Sequence, residues 1–201
     1  FREDTAAYYS LASDPSANST FAWSAADDGR YIADGWNDYF WMVRSDAVES
    51  QTSFYVETRG YWTAAEEDGD DGLGPAFSTQ TGEYYAAIVS DGYDGQNFST
   101  KSEAVMRYSE VPELLKQAEY ILDAGDEIDT APGLRVGLWA RDSLVELFVD
   151  GESLGAASWA GGGMQSIGLA SLANGPCEFD YLWVSRDRPA ADFDPENLVS
   201  P

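Results

Sequence analysis

The sequence predicts an all-β protein, an antiparallel β-sandwich with one short helix around residues 110–123. Three observations carry that expectation. Short runs rich in Val, Ile, Tyr, Phe and Trp recur between turns rich in Gly and Asp. Residues 133–155, GLRVGLWARDSLVELFVDGESLG, read as two successive β-turns between strands whose sides can be counted off. The composition supplies a core, with 44% apolar and 14% aromatic residues among 201, enough for one large sandwich without demanding a second domain.

Candidate strands span 21–24, 30–33, 39–44, 53–59, 75–78, 83–90, 134–141, 144–150, 166–170 and 178–185. In 53–59, Phe54, Val56 and Thr58 alternate with Tyr55, Glu57 and Arg59, which separates a core face from a wet one. Residues 83–90 are apolar at both parities, so that strand should be central and covered on both sides. Residues 109–124, SEVPELLKQAEYILDA, break the β pattern. Val111, Leu114, Leu115, Ala118, Ile121 and Leu122 fall on one helical stripe, with Ser109 as N-cap, Pro112 in the first turn and Gly125 as the stop. The spacing therefore predicts a helix over 110–123, although 119–123 also has strand propensity.

Folding 133–155 about Asp142-Ser143 pairs Ala140 with Val145, Leu138 with Leu147 and Val136 with Val149 on one face. Trp139, Glu146 and Phe148 then point the other way, and Asp150-Gly151 is a second hairpin turn leading to a short strand. In 177–185, CEFDYLWVS, strict alternation puts Cys177, Phe179, Tyr181 and Trp183 on one face, with Cys177 a small buried thiol. Residues 1–188 are expected to form the sandwich and 189–201 an extended tail or linker. Because the chain opens on Phe1 rather than Met, the expectation is a processed protein or a domain of a longer one.

Charge and missing residue types exclude several functions. There are 36 Asp and Glu against 11 Lys and Arg, a net charge of −25. That field repels phosphate backbones and anionic headgroups, so neither nucleic acid nor a membrane surface is an expected partner. No apolar run approaches the roughly 18 residues of a membrane span. Such acidity suits a surface that stays hydrated in high salt, where a Debye length of about 3 Å suppresses self-repulsion. Acidic residues and Arg in place of Lys resemble proteins of halophilic archaea, halophilic bacteria and their viruses; an acidic extracellular protein of a marine organism is the alternative. Histidine is absent and Cys177 is the single cysteine. A Ser-His-Asp or Cys-His nucleophile, a His-ligated zinc and an internal disulfide are thereby excluded.

Residues 82–90 (GEYYAAIVS), 133–155 and 177–185 together resemble the concanavalin A-like (laminin-G, lectin and glucanase) jelly-roll sandwiches, over about residues 1–188. The resemblance implies a closing strand, with its F-D-aliphatic signature, beside a first strand at residues 1–4. It also implies a structural calcium near those strands, held by Asp4, with Glu3, and by Asp180. Laminarinase-type members carry E-x-D-x-x-E or E-x-D-x-E on one strand, and the nearest match, Glu178-Phe179-Asp180, lacks the third carboxylate. Alginate-type lyases commonly pair Tyr with His and Arg, and His is missing. Glu57 and Arg59 share a strand face as a carboxylate and an electrostatic clamp, in a chain where chance carboxylates are common.

A second cation candidate is the loop 66–72, EEDGDDG, with Asp68 and Asp70 at its centre. It fails as an EF-hand, since Gly72 replaces the third ligand and Thr79 stands at the bidentate position; a solvated acidic loop is the competing reading. Trp36, Trp62 (beside Tyr61), Tyr93 and Trp159 occupy loop-like or strand-end positions near Gly and Asp, where rings could stack on sugars; ordinary core or edge packing is the competing reading and the commoner fate of any one ring. Asn18-Ser19-Thr20 and Asn97-Phe98-Ser99 match the glycosylation acceptor pattern. The expected function is a non-catalytic, extracellular or surface-exposed domain that binds a glycan or polysaccharide or mediates adhesion, from a salt-adapted source. Alternatives are a structural or receptor-contacting domain on a virion surface, in a homo-oligomer or larger surface assembly, and a polysaccharide hydrolase or lyase with an unfamiliar site.

Overall fold

The computed structural model describes residues 10–11, 20–24, 30–34, 38–44, 52–62, 72–93, 98–108, 112–114, 133–159, 161–173 and 177–190. The described strands are β1 (Ser10–Leu11), β2 (Thr20–Ser24), β3 (Arg30–Asp34), β4 (Asp38–Arg44), β5 (Phe54–Trp62), β6 (Gly72–Thr79) and β7 (Tyr84–Tyr93), followed by β8 (Phe98–Tyr108), β9 (Pro112–Leu114), β10 (Leu134–Arg141), β11 (Leu144–Val149), β12 (Glu152–Ser158), β13 (Met164–Ala173) and β14 (Cys177–Ser185). They form two antiparallel sheets. The first runs β1-β4-β13-β6-β7-β8-β9 and the second β12-β11-β10-β5-β14-β3-β2. This is the β-sandwich that the strand pattern predicts.

The hairpin registers follow the sequence residue by residue. Val136 pairs with Val149, Leu138 with Leu147 and Ala140 with Val145. Asp142 enters the first turn at φ 50°, and Asp150 and Gly151 make the second at 49° and 83°, the left-handed pair that a two-residue turn needs to match strand twist. The core lies between the sheets. Val56, Val136, Leu138, Val145 and Leu147 of the second sheet face Leu73, Phe77, Tyr85, Val89, Ile167 and Leu169 of the first, all but inaccessible to water. Cys177 belongs to that core, its thiol 3.7 Å from the Gly72 carbonyl, as expected of a small buried side chain.

The strand β7 is covered on both sides. Tyr85, Ala87 and Val89 enter the main core, while Ala86 and Ile88 join Ala76 and Ala170 in a smaller buried cluster on the outside of the first sheet.

Two expectations are corrected. The helix expected over 110–123 is contradicted at its start, where Pro112, Glu113 and Leu114 pair with Tyr108, Arg107 and Met106; residues 115–123 lie outside the described residues. The physical signal was Pro112, which biases the residue before it toward extended backbone and is tolerated at a sheet edge, where its missing N–H leaves no ladder bond unmade. Second, Tyr181 and Trp183 do not share the face of Cys177 and Phe179. A β-bulge at Asp180 shifts the pairing with β5 from Phe179↔Gly60 to Tyr181↔Arg59, so Leu182 and Val184 pack on the core and Tyr181 and Trp183 turn outward. Over Cys177, Glu178 and Phe179 the closing strand has β3 as its second neighbour; the first strand that the resemblance put beside it, at residues 1–4, lies outside the described residues. The tail from 191 onward also lies outside them.

Candidate binding face

The outer face of the second sheet gathers polar and aromatic side chains that alternate with the core residues of β10, β5 and β14. Pairing registers arrange them in rows about 7 Å apart. Arg135 stands opposite Arg59, which stands opposite Tyr181. In the next row Phe148, Gly137, Glu57 and Trp183 are adjacent, and in the third Glu146, Trp139, Tyr55 and Ser185. The parity of 53–59 was therefore read correctly, but its outer side is not simply wet: Tyr55 and Glu57 are each only 1% exposed.

Glu57 organises the floor of this face. Tyr55 Oη donates to its Oε2 at 2.6 Å and Tyr181 Oη to its Oε1 at 2.7 Å. Arg135 grips both oxygens, Nε to Oε1 at 3.1 Å and NH2 to Oε2 at 3.2 Å. A carboxylate offers about four acceptor sites, and four donors occupy them. Burial and the adjacent Glu57 carboxylate push the ionisation of Tyr55 and Tyr181 well above that of free tyrosine. Burial opposes the charge on Arg135, but the hydrogen bonds and charge of Glu57 outweigh it and hold its pKa above the ordinary value. Glu57 is thus a scaffold group whose lone pairs are spent, unsuited to act as a nucleophile or general base.

Gly137 is required by this arrangement. A Cβ there would stand 2.2 Å from Tyr55 Oη, so only glycine lets the phenol lie across β10 toward Glu57. Tyr55 also meets Phe148 and Trp183 edge-on, with ring centroids 6.0 and 5.9 Å apart.

Above this floor lies a half-buried layer of guanidiniums and rings. The Arg141 guanidinium sits 3.9 Å over the Trp139 ring and bonds Glu146 at 3.0 Å, while Arg188 covers Phe148 at 4.1 Å. On the other flank the Asp180 bulge builds a second cluster. Arg30 bonds Asp180 at 2.7 Å and Glu178 at 2.8 Å, stacks 4.0 Å over the Tyr61 ring, and Tyr61 Oη donates to Asp180 at 2.5 Å. Burial, then the hydrogen bond to Asp180 and its charge, push Tyr61 up to about 12.

The site residues expected from sequence are distributed differently. Trp159 is a correction: it is 5% exposed, and its ring meets Phe54, Phe77 and Tyr85 edge-on at 6.1, 5.7 and 5.9 Å. Its backbone N–H bonds to the Ser143 carbonyl, folding the segment after β12 back over the hairpin end and driving the indole into the core, where no sugar can stack on it. Trp62 ends β5 opposite Cys177, and Tyr93 ends β7 opposite Phe98 in the other sheet; their side chains, and all of Trp36, lie outside the described residues. So do Asn18, Asn97, Asp4, Asp68 and Asp70. Asp180 does not suit a calcium ligand, because its oxygens already serve a cation and a phenol; among the described residues no three carboxylate or thiol groups cluster as a metal site. Tyr181, Trp183, Arg135, Trp139 and Arg141 were missed as a group, though the hairpin register turned Trp139 away from the face of Val136, Leu138 and Ala140.

No protein-family model matches the chain, and no curated protein matches it in sequence. Solved structures do. The carbohydrate binding module CBM66 from Bacillus subtilis is 13% identical with a TM-score of 0.62, over 88% of this chain and 94% of that one. A protein of unknown function with a galectin-like fold from Bacillus subtilis is 10% identical with a TM-score of 0.57, over 92% and 93%. The Bacillus licheniformis β-glucanase is 11% identical with a TM-score of 0.53, over 94% and 96%. At these identities the likeness shows the fold, a concanavalin A-like or galectin-like β-sandwich.

Proposed function

We propose that the protein is a non-catalytic carbohydrate-binding domain that holds a glycan against the outer face of the second sheet, over β10, β5 and β14. The observation that carries this reading is the half-buried layer of rings and guanidiniums on a rigid floor. Trp183, Trp139, Tyr181 and Tyr61 are all partly buried on that face, and the Glu57 network fixes the residues beneath them. Flat apolar surfaces flanked by hydrogen-bond donors suit a sugar, whose ring has an apolar face and a hydroxyl rim. A floor fixed before binding lowers the ordering penalty that weak ligands must overcome. The likeness to a carbohydrate binding module agrees with this reading. The likeness to a β-glucanase suggests hydrolysis, which the saturated Glu57 and the incomplete Glu178-Phe179-Asp180 motif do not support. The domain acts outside the cell, in a salt-adapted organism, where a net charge of −25 keeps it hydrated.

The test is retardation of the wild type and of Trp183→Ala in gels cast with a panel of plant, algal and microbial polysaccharides. Retardation of the wild type by at least one polysaccharide is expected, with about tenfold or greater loss in Trp183→Ala at nearly unchanged melting temperature. A wild type that migrates freely in every gel, or a variant retarded like the wild type, overturns the reading.

A further inference from the structure

We infer that Trp139 and Glu146 form a sugar subsite that the Arg141 guanidinium covers, and that an uncharged sugar residue opens it by displacing that guanidinium; the inference rests on the reading of the face as a glycan-binding surface. Four side chains make up the block. Trp139 and Arg141 point outward from β10, and their cross-strand partners on β11 are Glu146 and Leu144. Arg141 reaches back over this block, with its guanidinium carbon 3.9 Å from the centroid of the Trp139 ring and its NH2 group donating to Glu146 Oε2 at 3.0 Å. One side chain thus occupies both a ring face and a carboxylate oxygen. A sugar uses the same two features, the first through its apolar face and the second through a hydroxyl.

Arg30 and Arg141 both stack on rings of this face, but they are held differently. Arg30, over Tyr61, is clamped by two carboxylates and its side chain is 26% exposed, whereas Arg141 has one carboxylate partner and is 43% exposed. An exposed ion pair and an exposed cation–π contact are each weak, so a ligand needs little binding energy to displace this guanidinium. Glu146 keeps its orientation when Arg141 leaves, because Ser153 Oγ donates to its other oxygen at 2.6 Å. The covered arrangement is itself imperfect. Trp139 Nε1 is buried without a hydrogen-bond partner, an unfavourable state for a donor. Leu144, diagonal to Trp139 in the block, is the one large apolar side chain left exposed among the described residues. With the guanidinium withdrawn, the indole and Leu144 offer apolar surface beside an acceptor, a composition that suits a sugar ring. The charge left in the block is then that of Glu146, which disfavours a sugar bearing a carboxylate or sulfate.

The experiment is affinity electrophoresis of the intact chain in gels cast in turn with xylan, β-glucan and galactomannan, each mobility taken relative to a gel without polysaccharide. Wild type, Arg141→Ala, Trp139→Ala and the double variant are compared. In the gel that retards most, Arg141→Ala should bind about three- to tenfold more tightly than the wild type, the gain expected from removing a weak competitor for the ring and the carboxylate. Adding Trp139→Ala should cancel that gain. If Arg141→Ala melts early, Arg141→Gln replaces it, keeping most of the stem without the charge, and the same direction is expected. Unchanged or weaker binding by the Arg141 variant overturns the inference and leaves the proposed function standing. A gain that survives in the double variant overturns it as well. Free migration of all four proteins in these uncharged gels also overturns the inference, and the proposed function falls with it only if charged polysaccharides fail to retard the wild type too.

Discussion

The two outward faces of the sandwich are built from opposite materials. On the first sheet Ala76, Ser78, Ala86, Ile88, Ser166 and Ala170 form a surface of mostly small side chains, and every one of them is at most 5% exposed. On the second sheet the corresponding surface is Arg, Tyr, Trp and Glu, fully buried only at its floor. Small side chains leave a flat apolar face that must be covered, and burial at both parities of β7 shows that it is. Large amphipathic side chains cover themselves. Stacked guanidiniums and phenols bury their apolar parts and keep polar edges outward, so the described part of that face carries no large bare patch.

The largest effect that separates the faces from the core should come from Trp159→Ala. Removing a ring packed against Phe54, Phe77 and Tyr85 is expected to cost about 3–5 kcal/mol in denaturant unfolding with no specific effect on glycan affinity. Unchanged stability with lost binding would instead return Trp159 to the surface. Glu57→Gln should follow closely, at roughly 3 kcal/mol, because Arg135 loses its buried counter-charge. That variant breaks the floor, so it should weaken binding as well as stability, and normal affinity at reduced stability would show that the floor does not position the layer above it.

Ala86→Leu on the covered face should cost about 1–3 kcal/mol, as overpacking does. A neutral result would mean that this face is looser than its burial indicates. Two conditions have smaller effects. For tyrosines whose ionisation is raised in the folded state, stability is intact below the unfolded value near 10 and is lost as pH climbs through the folded one. Unfolding free energy should thus fall from about pH 10 upward, for Tyr61 across the window ending at about 12; absorbance at 295 nm that showed all tyrosines ionising near pH 10 before unfolding would contradict the buried hydrogen bonds. Melting temperature should rise from low salt to molar NaCl, since screening relieves the self-repulsion of net −25, and a flat curve would remove the salt-adapted reading.

Much of the fold was legible because the late hairpin states its own register. Asp142-Ser143 and Asp150-Gly151 are local turn signals, and period-two burial then assigns Val136, Leu138 and Ala140 without tertiary information. The candidate face was not legible as a unit. Its decisive step is the bulge at Asp180, one extra residue that inverts the parity of Tyr181 and Trp183, and nothing in the local sequence distinguishes it from regular alternation. β8 was missed for a related reason: its pairing shifts from Ala87↔Val105 to Ile88↔Glu103, so no single alternation runs through Phe98–Tyr108. The aromatic residues singled out near Gly and Asp reflected composition rather than orientation, and Trp159 shows how a loop-like residue can be folded into a core.

The central claim is that the ligand sits on the outer face of the second sheet. Its most direct measurement is titration of 15N-labelled protein with an oligosaccharide released from the best-binding polymer, following the indole N–H resonances of the seven tryptophans. Trp139 and Trp183 should shift progressively and saturably while Trp159, enclosed in the core, stays in place; saturable shifts that spare both Trp139 and Trp183 would contradict the account.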